Sequence, residues 1–116
     1  MAARRQMRRG AGCPSSLVDV ATLVHELRRC KESSEVTLLE QAISISAAAH
    51  LAAMERAKPG MYEYEIEALL RGAFRASGSE RVAYDPIVGS GPNATILHYV
   101  KNQRQMQSGD LLLIDA

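Results

Sequence analysis

The chain lacks an excess of either charge. Among its 116 residues, 14 Lys and Arg face 13 Asp and Glu, which gives a formal net charge of +1 at pH 7. Proteins that bind nucleic acids normally carry a strong basic excess. The near balance of charge therefore argues against a nucleic-acid partner.

The chain also lacks long apolar runs. A membrane span requires roughly 18 consecutive apolar residues, and the sequence contains no run of that length. We therefore expect no membrane partner. A length of 116 residues allows one domain at most, with enough chain to bury a core.

Cysteine is scarce, occurring at Cys13 and Cys30. Two cysteines this far apart are too few for a zinc knuckle or a disulfide framework. The expected setting is reducing, which predicts a cytoplasmic location.

The first 16 residues are rich in arginine and contain no acidic residue. This composition is typical of a mitochondrial transit peptide, but it also fits a disordered linker between domains. The Arg-Gly-Ala-Gly stretch lacks the apolar stripe of an amphipathic transit helix, which favours the linker. We therefore predict that residues 1–16 are a disordered linker or leader, with a mitochondrial location as the alternative to a cytoplasmic one.

Helical periodicity predicts helices at residues 17–28, 33–57 and 63–77. Ser15 and Ser16 can cap the first helix, and Lys-Pro-Gly at residues 58–60 ends the second because proline cannot continue the hydrogen-bond ladder. Gly78 closes the third. The predicted core stripe of the second helix is Val36, Leu39, Ile43, Ala47, His50 and Met54, and that of the third is Ile66, Leu69, Leu70, Ala73 and Phe74.

The last six residues predict a β-strand that ends in a carboxylate. Four consecutive aliphatic residues, at positions 111–114, indicate burial on both faces of the strand. A carboxylate at the end of such a strand requires a cation, a hydrogen-bond donor or a proton. The local pattern leaves two interpretations of Asp115 open, a functional group or an aspartate that caps the next turn in water.

A turn-rich loop at residues 89–95 separates two short apolar runs, at 86–88 and 96–99. Turn residues between β-forming segments predict a hairpin with a long connection. By itself, His98 in the second run is more typical of a core histidine bonded to a backbone carbonyl than of a functional group.

Three sequence segments, taken in their order along the chain, resemble those of a known family. They are Tyr-Asp-Pro-Ile-Val-Gly-Ser-Gly at residues 84–91, Ile-Leu-His-Tyr at 96–99 and Ser-Gly-Asp-Leu-Leu-Leu-Ile-Asp-Ala at 108–116. Their order and spacing resemble the start of the catalytic domain in the aminopeptidase P and prolidase branch of the pita-bread metallopeptidases. The fold class implied is α+β, the first half of a pita-bread fold, in which helices precede antiparallel strands. Residues 17–116 would then be a partial catalytic domain, truncated at its C-terminal end.

The resemblance also implies roles for two residues. Asp115 lies where the family has the first aspartate ligand of a two-metal centre, and His98 lies where it has a histidine that faces the substrate and helps to stabilise the tetrahedral intermediate. The implied cofactor is a pair of divalent metals, typically Mn²⁺. The implied substrates are peptides with proline at the second position, and the complete enzyme is expected to be a homo-oligomer.

Several other polar residues are interpreted as structural. The histidine His50 lacks metal-ligand spacing, and the hydroxyls of Ser44 and Ser46 have no base at a recognisable offset. Tyr84 and Tyr99 are predicted to pack rather than to catalyse. Charged residues at helical spacing usually face water, so solvated helix faces are predicted for His25, Glu26, Glu63, Glu65 and Glu67.

Three functions remain as hypotheses. The first is a metal-dependent Xaa-Pro aminopeptidase, present as a fragment that is inactive alone. The second is a metal-free pita-bread module that binds a partner, and the third is a helical interaction protein whose strands complete a core. His98 together with Asp115 at the family spacing favours the first, because neither of the others requires that pair. If this hypothesis is right, both side chains should converge on one open side of the fold, with Leu97 and Tyr99 facing away from His98.

Overall fold

A computed structural model describes residues 16–116 of the chain. The predicted linker or leader at residues 1–16 lies outside the described residues except for Ser16. The chain divides into two units, the first ending at Ser33 and the second comprising Ser34–Ala116.

The first unit contains one described helix, α1, at Ala21–Arg29. It begins four residues later than predicted, and the Asp19 carboxylate accepts a hydrogen bond from the backbone N–H of Ala21, the first residue of the helix (2.9 Å). Residues 17–20 are therefore outside the helix, and Leu17 is almost fully exposed. His25 is exposed and Glu26 pairs with Arg29 on the helix surface, as predicted.

The second helix, α2, spans Ser33–Arg56 and ends within one residue of its prediction. Its buried residues are Ala49 and Ala53. The predicted core stripe is wrong, because its large members are exposed to between 42% and 74%: Val36, Leu39, Ile43 and Met54. The buried alanines and the partly buried Ile45, rather than the predicted large residues, face the core of this unit.

By length and composition alone, α2 passes as a membrane-spanning helix, and it is the one helix among the described residues that does so. Core helices of soluble proteins and signal sequences share this property, and 11% of the apolar stretch is buried. Ala49 and Ala53 of α2 belong to the same buried cluster as Ile66 and Leu70, which ties this helix to the core of its unit.

The third helix, α3, spans Glu63–Ala76. Its first turn is fixed by the Glu65 carboxylate, which accepts a hydrogen bond from the Tyr62 N–H (2.7 Å). Ile66, Leu70 and Phe74 lie four residues apart along one face and are buried, so the predicted core face is confirmed. The helix ends one residue before the predicted boundary.

Two antiparallel strands follow, β1 at Ile87–Ser90 and β2 at Leu112–Asp115. They pair with Ile87 opposite Asp115. The α+β class and the antiparallel strands were predicted, but the predicted burial of both faces of β2 is wrong. Leu112 and Ile114 pack against the core cluster, whereas Leu111 is 82% exposed and Leu113 is 41% exposed, because the core covers one face of β2.

The predicted strand at residues 96–99 is absent from the described chain. A 3-10 helix at Gly91–Thr95 follows β1 directly, and residues 96–98 then form a bend and a turn. Pro92 in the first turn of the 3-10 helix cannot donate to a ladder. The partner of β1 is therefore β2 rather than the segment that contains His98.

Candidate active site

Asp115 is the last residue of β2 and its side chain is exposed. The hydroxyl of Tyr84 donates a hydrogen bond to the Oδ1 atom of Asp115. This bond raises the pKa of Tyr84, since losing the proton would place two negative charges together. Tyr84 was predicted to be a packing residue, but its ring is half exposed and its hydroxyl orients Asp115.

His98 and Asp115 line the same cleft, which has a volume of about 330 Å³. The wall between them is largely apolar and includes Ile87, Leu97 and Leu113. The two side chains predicted to converge therefore share one concave surface, although their segments lie seventeen positions apart in the sequence. A mostly apolar cleft with a few polar groups is the usual form of a small-ligand site.

The backbone at His98 differs from the prediction. His98 has a φ of 54°, in the left-handed region that few residues other than glycine, asparagine and aspartate occupy often. Leu97 lines the cleft together with His98 instead of facing away from it. Strand alternation does not apply here because this segment is a turn.

Glu63, predicted to lie on a solvated helix face, is fully buried. The correction has a clear cause: its carboxylate accepts hydrogen bonds from residues 27 to 41 positions later in the chain. These donors are the Ser90 N–H (2.7 Å) and hydroxyl (2.7 Å), the Asn93 amide (3.2 Å), the Tyr99 hydroxyl (2.7 Å) and the Arg104 N–H (2.9 Å). No local pattern in the sequence reports contacts at such separations.

The hydrogen bonds determine the charge of Glu63. Burial alone would raise the pKa of its carboxyl group, but the bonds from Tyr99, Arg104 and Ser90 outweigh burial and lower it. Glu63 is therefore ionised at neutral pH. The pKa of Tyr99 is raised, first by burial and then by its bond to this carboxylate, so the hydroxyl keeps its proton. Tyr99 is thus a hydrogen-bonding residue as well as a packing one.

Asn102 anchors the far end of the same loop. It is 1% exposed and has a φ of 48°. Its side-chain amide donates to the Glu67 carboxylate (2.7 Å) and to the Pro86 carbonyl (2.8 Å), and its side-chain oxygen accepts from the Val88 N–H (3.0 Å). The amide therefore takes the place of a neighbouring strand beside β1. Glu67 is also more buried than predicted, with a side chain that is 22% exposed.

Arg104 and Asp110 join this loop to the residues before β2. The guanidinium donates to the Asp110 carboxylate (2.5 Å) and to the Ser90 hydroxyl (2.8 Å). The bond from Arg104 lowers the pKa of Asp110, with a further contribution from the Gln107 N–H. A side chain at Gly91, where φ is 52°, would bring its Cβ within 2.6 Å of Asp110. Glycine is needed there for both reasons.

The histidine of α2, His50, makes local contacts. The Nδ1 atom of His50 lies 2.8 Å from the Ser46 carbonyl oxygen, one helical turn earlier. Across residues 16–116, no group of three or more His, Cys, Asp or Glu side chains is arranged to hold a metal ion. The described residues thus supply Asp115 as a single carboxylate in the cleft rather than a complete metal centre.

Comparison with known proteins gives consistent matches. The model of metallopeptidase family M24 matches residues 37–116. The Xaa-Pro aminopeptidase of Escherichia coli K12 is 42% identical over 97% of this chain, which covers 26% of that protein. Intermediate cleaving peptidase 55, mitochondrial, of Arabidopsis thaliana is 34% identical over 83% of the chain, which covers 20% of it.

Solved structures match equally well. Proline aminopeptidase P II from Yersinia pestis superposes with a TM-score of 0.90 at 41% identity, over 98% of this chain and 26% of that one. A zinc-substituted E. coli aminopeptidase P in complex with product gives 0.89 at the same identity and the same coverage. The chain spans about a quarter of the length of these relatives. The predicted resemblance and the predicted pita-bread fold are confirmed.

Proposed function

The chain belongs to metallopeptidase family M24, and from this membership we propose that it contributes to an Xaa-Pro aminopeptidase. Such an enzyme hydrolyses the bond after the first residue of a peptide whose second residue is proline. The observation that supports this proposal most directly is the cleft shared by His98 and Asp115. Its support in sequence is the 42% identity to the E. coli Xaa-Pro aminopeptidase.

Asp115 is suited to bind a divalent cation. It is an exposed carboxylate at the end of a strand, and one of its oxygens is already oriented by Tyr84. Hard cations such as Mn²⁺ prefer oxygen ligands, and hydrogen bonds to a ligating carboxylate typically tune the site. In the proposed enzyme two divalent metals, of which Mn²⁺ is the proposed identity, would act as Lewis acids and lower the pKa of a bound water. Asp115 would be one ligand among several.

His98 would act on the substrate rather than on the metals. A histidine that lines the cleft can donate a hydrogen bond to the carbonyl oxygen of the scissile bond, where negative charge develops during attack. The apolar wall formed by Ile87, Leu97 and Leu113 would exclude water from the same place. Peptides with proline second are the proposed substrates. A cytoplasmic location and a homo-oligomeric assembly complete the proposal.

The proposal is tested by placing this segment in a known enzyme. Residues 37–116 replace the matching segment of E. coli Xaa-Pro aminopeptidase, and release of the first residue from an Xaa-Pro peptide is measured with Mn²⁺. We expect metal-dependent release, its loss in Asp115→Asn, and a fall in kcat of about a hundredfold in His98→Ala, the usual effect of removing one donor to a developing oxyanion. The 116-residue chain by itself should release nothing, because its described residues supply one carboxylate to the cleft and no group of side chains arranged to hold a metal ion.

Asp85→Asn is the matched control. The Asp85 side chain is 73% exposed, pairs with Arg71 and is not among the residues that line the cleft. Exposed ion pairs contribute little to stability, so this variant should keep its activity. A folded hybrid protein that binds Xaa-Pro peptides without cleaving them would contradict the peptidase proposal and support a non-catalytic binding module.

A further inference from the structure

We propose that Glu63 is a positioning residue, which holds His98 in the cleft by way of the Tyr99 hydroxyl. The inference rests on the role proposed above for His98. It concerns the His98 loop, defined here as residues 96–104. This loop has neither strand nor helix around His98, yet it has to present one side chain at a fixed place.

The His98 loop depends on contacts outside itself. Two of its residues, His98 and Asn102, have φ values of 54° and 48°. A non-glycine residue in that region is strained and persists when the surrounding structure determines its conformation. Asn102 is held by its bonds to β1 and Glu67. The corresponding support next to His98 has to come from its neighbour Tyr99.

The Tyr99 hydroxyl is fixed by three hydrogen bonds. It donates to the Oε2 atom of Glu63 (2.7 Å) and accepts from the Asn93 side-chain amide (2.9 Å) and the Gln103 N–H (3.2 Å). Because the peptide bond between residues 98 and 99 is planar, a fixed Tyr99 restricts the backbone at His98. The side chain that lines the cleft is thus one peptide unit from a tightly bound anchor.

Glu63 is a common acceptor for three segments near the cleft. Its carboxylate binds the end of β1 through Ser90, the 3-10 helix through Asn93 and the His98 loop through Tyr99 and Arg104. The backbone N–H of Glu63 also donates to the Arg104 carbonyl (3.0 Å). A fully buried carboxylate satisfied by directional donors transmits the position of α3 to all three segments.

The test compares two variants, each of which lacks one hydroxyl group. Tyr99→Phe removes the donor beside His98, whereas Ser90→Ala removes a donor to the same carboxylate from β1 (2.7 Å). In the 116-residue chain, ¹⁵N order parameters of the backbone amides at residues 96–101 should fall from about 0.85, typical of a rigid backbone, to below about 0.6 in Tyr99→Phe, because a hydrogen bond to a charged group holds the loop in place. The same amides should change much less in Ser90→Ala.

The NMR signal of the His98 imidazole provides a second readout. A general loss of stability would not shift this signal alone. The chain has three histidines, so three ring signals are expected by NMR, and His98→Gln identifies the one of interest. Tyr99→Phe should shift this signal and leave those of His25 and His50 unchanged. Neither readout requires peptidase activity, so a failure here is separate from a failure of the proposed function.

Three results would overturn the proposal. The first is an equal fall of the order parameters of residues 96–101 in Tyr99→Phe and Ser90→Ala. The second is unfolding of Tyr99→Phe as judged by its helical circular dichroism, because Tyr99 would then support the whole unit rather than the loop. The third is order parameters below about 0.6 for residues 96–101 in the wild-type chain, since a flexible loop is not positioned by Glu63.

Discussion

At the scale of single residues, Glu63 shows how a buried carboxylate is stabilised by hydrogen bonds from neutral groups. The groups that donate to it are hydroxyls, an amide and two backbone N–H groups, while the guanidinium of Arg104 bonds instead to Asp110. Desolvating an anion is costly unless its oxygens are satisfied. The same donors would lose their acceptor if Glu63 were neutralised or replaced.

This leads to a prediction about acid. The pKa of Glu63 in the folded chain lies below its unfolded value, which is about 4.3. Its contribution to the free energy of unfolding is therefore present above that pH and is lost as the pH falls through the lower, folded pKa. Asp110 contributes with the same sign, because Arg104 lowers its pKa. Urea denaturation at a series of pH values from 7 downward measures the slope.

Glu63→Gln should reduce this acid dependence and lower the free energy of unfolding at pH 7 by at least about 2 kcal/mol. The reason is that glutamine replaces one carboxylate oxygen by an NH₂ group, which cannot accept hydrogen bonds from the donors that surround it. Glu65→Gln is the control, since Glu65 lies on the same helix and a glutamine can still accept from the Tyr62 N–H. Parallel pH profiles for Glu63→Gln and the wild-type chain would contradict the explanation.

At the scale of elements, the position of the His98 loop begins with a close approach between β1 and the 3-10 helix. A Cβ atom at Gly89 would lie 2.8 Å from the Asn93 carbonyl oxygen and 3.1 Å from the Ala94 nitrogen. Both are backbone atoms of the next element, which cannot move aside as a flexible side chain can. Glycine at this position therefore allows the 3-10 helix to fold back against β1.

Two glycine substitutions test this packing. Gly89→Ala should lower the free energy of unfolding by about 1–3 kcal/mol, the usual cost of overpacking. Gly72→Ala should raise it by about 0.5–1 kcal/mol, because Gly72 lies within α3 and nothing lies within 4 Å of the added carbon. Denaturation midpoints of the two variants measure the contrast. Equal and small effects would mean that β1 and the 3-10 helix are less closely packed than described.

At the scale of the whole molecule, short-range signals predicted the fold and long-range contacts limited the prediction. The proline and glycine after α2 located its end, and the spacing of Ile66, Leu70 and Phe74 located the core face of α3. The Ile-Asp-Ala ending drew attention to Asp115, which lines the cleft together with His98. The role of Glu63 could not be predicted, because all of its partners lie far along the chain. The strand predicted at 96–99 failed because β-forming residues there had no partner strand.

The same long-range dependence explains the wrong core stripe of α2. Periodicity reports that a helix has an apolar face, but it does not report what covers that face. In the second unit the alanines of α2 meet the core, and many large apolar side chains remain at the surface. Those exposed by more than half are Leu38, Ile43, Leu51, Met54, Ile96, Leu97, Val100 and Leu111.

Exposed apolar side chains in this number favour association with other surfaces. We therefore expect the 116-residue chain in isolation to self-associate, with a mass in sedimentation equilibrium that rises with protein concentration. Replacing Met54 and Leu111 together by lysine should lower the association. These side chains are 74% and 82% exposed, so the replacement should leave the folded unit intact.

Replacing Gln103 and Ser108 by lysine adds the same two charges at exposed polar positions and should leave the association unchanged. A monomer of constant mass at all concentrations would contradict the expectation, and equal effects of the two lysine pairs would attribute the association to charge rather than to the apolar surface.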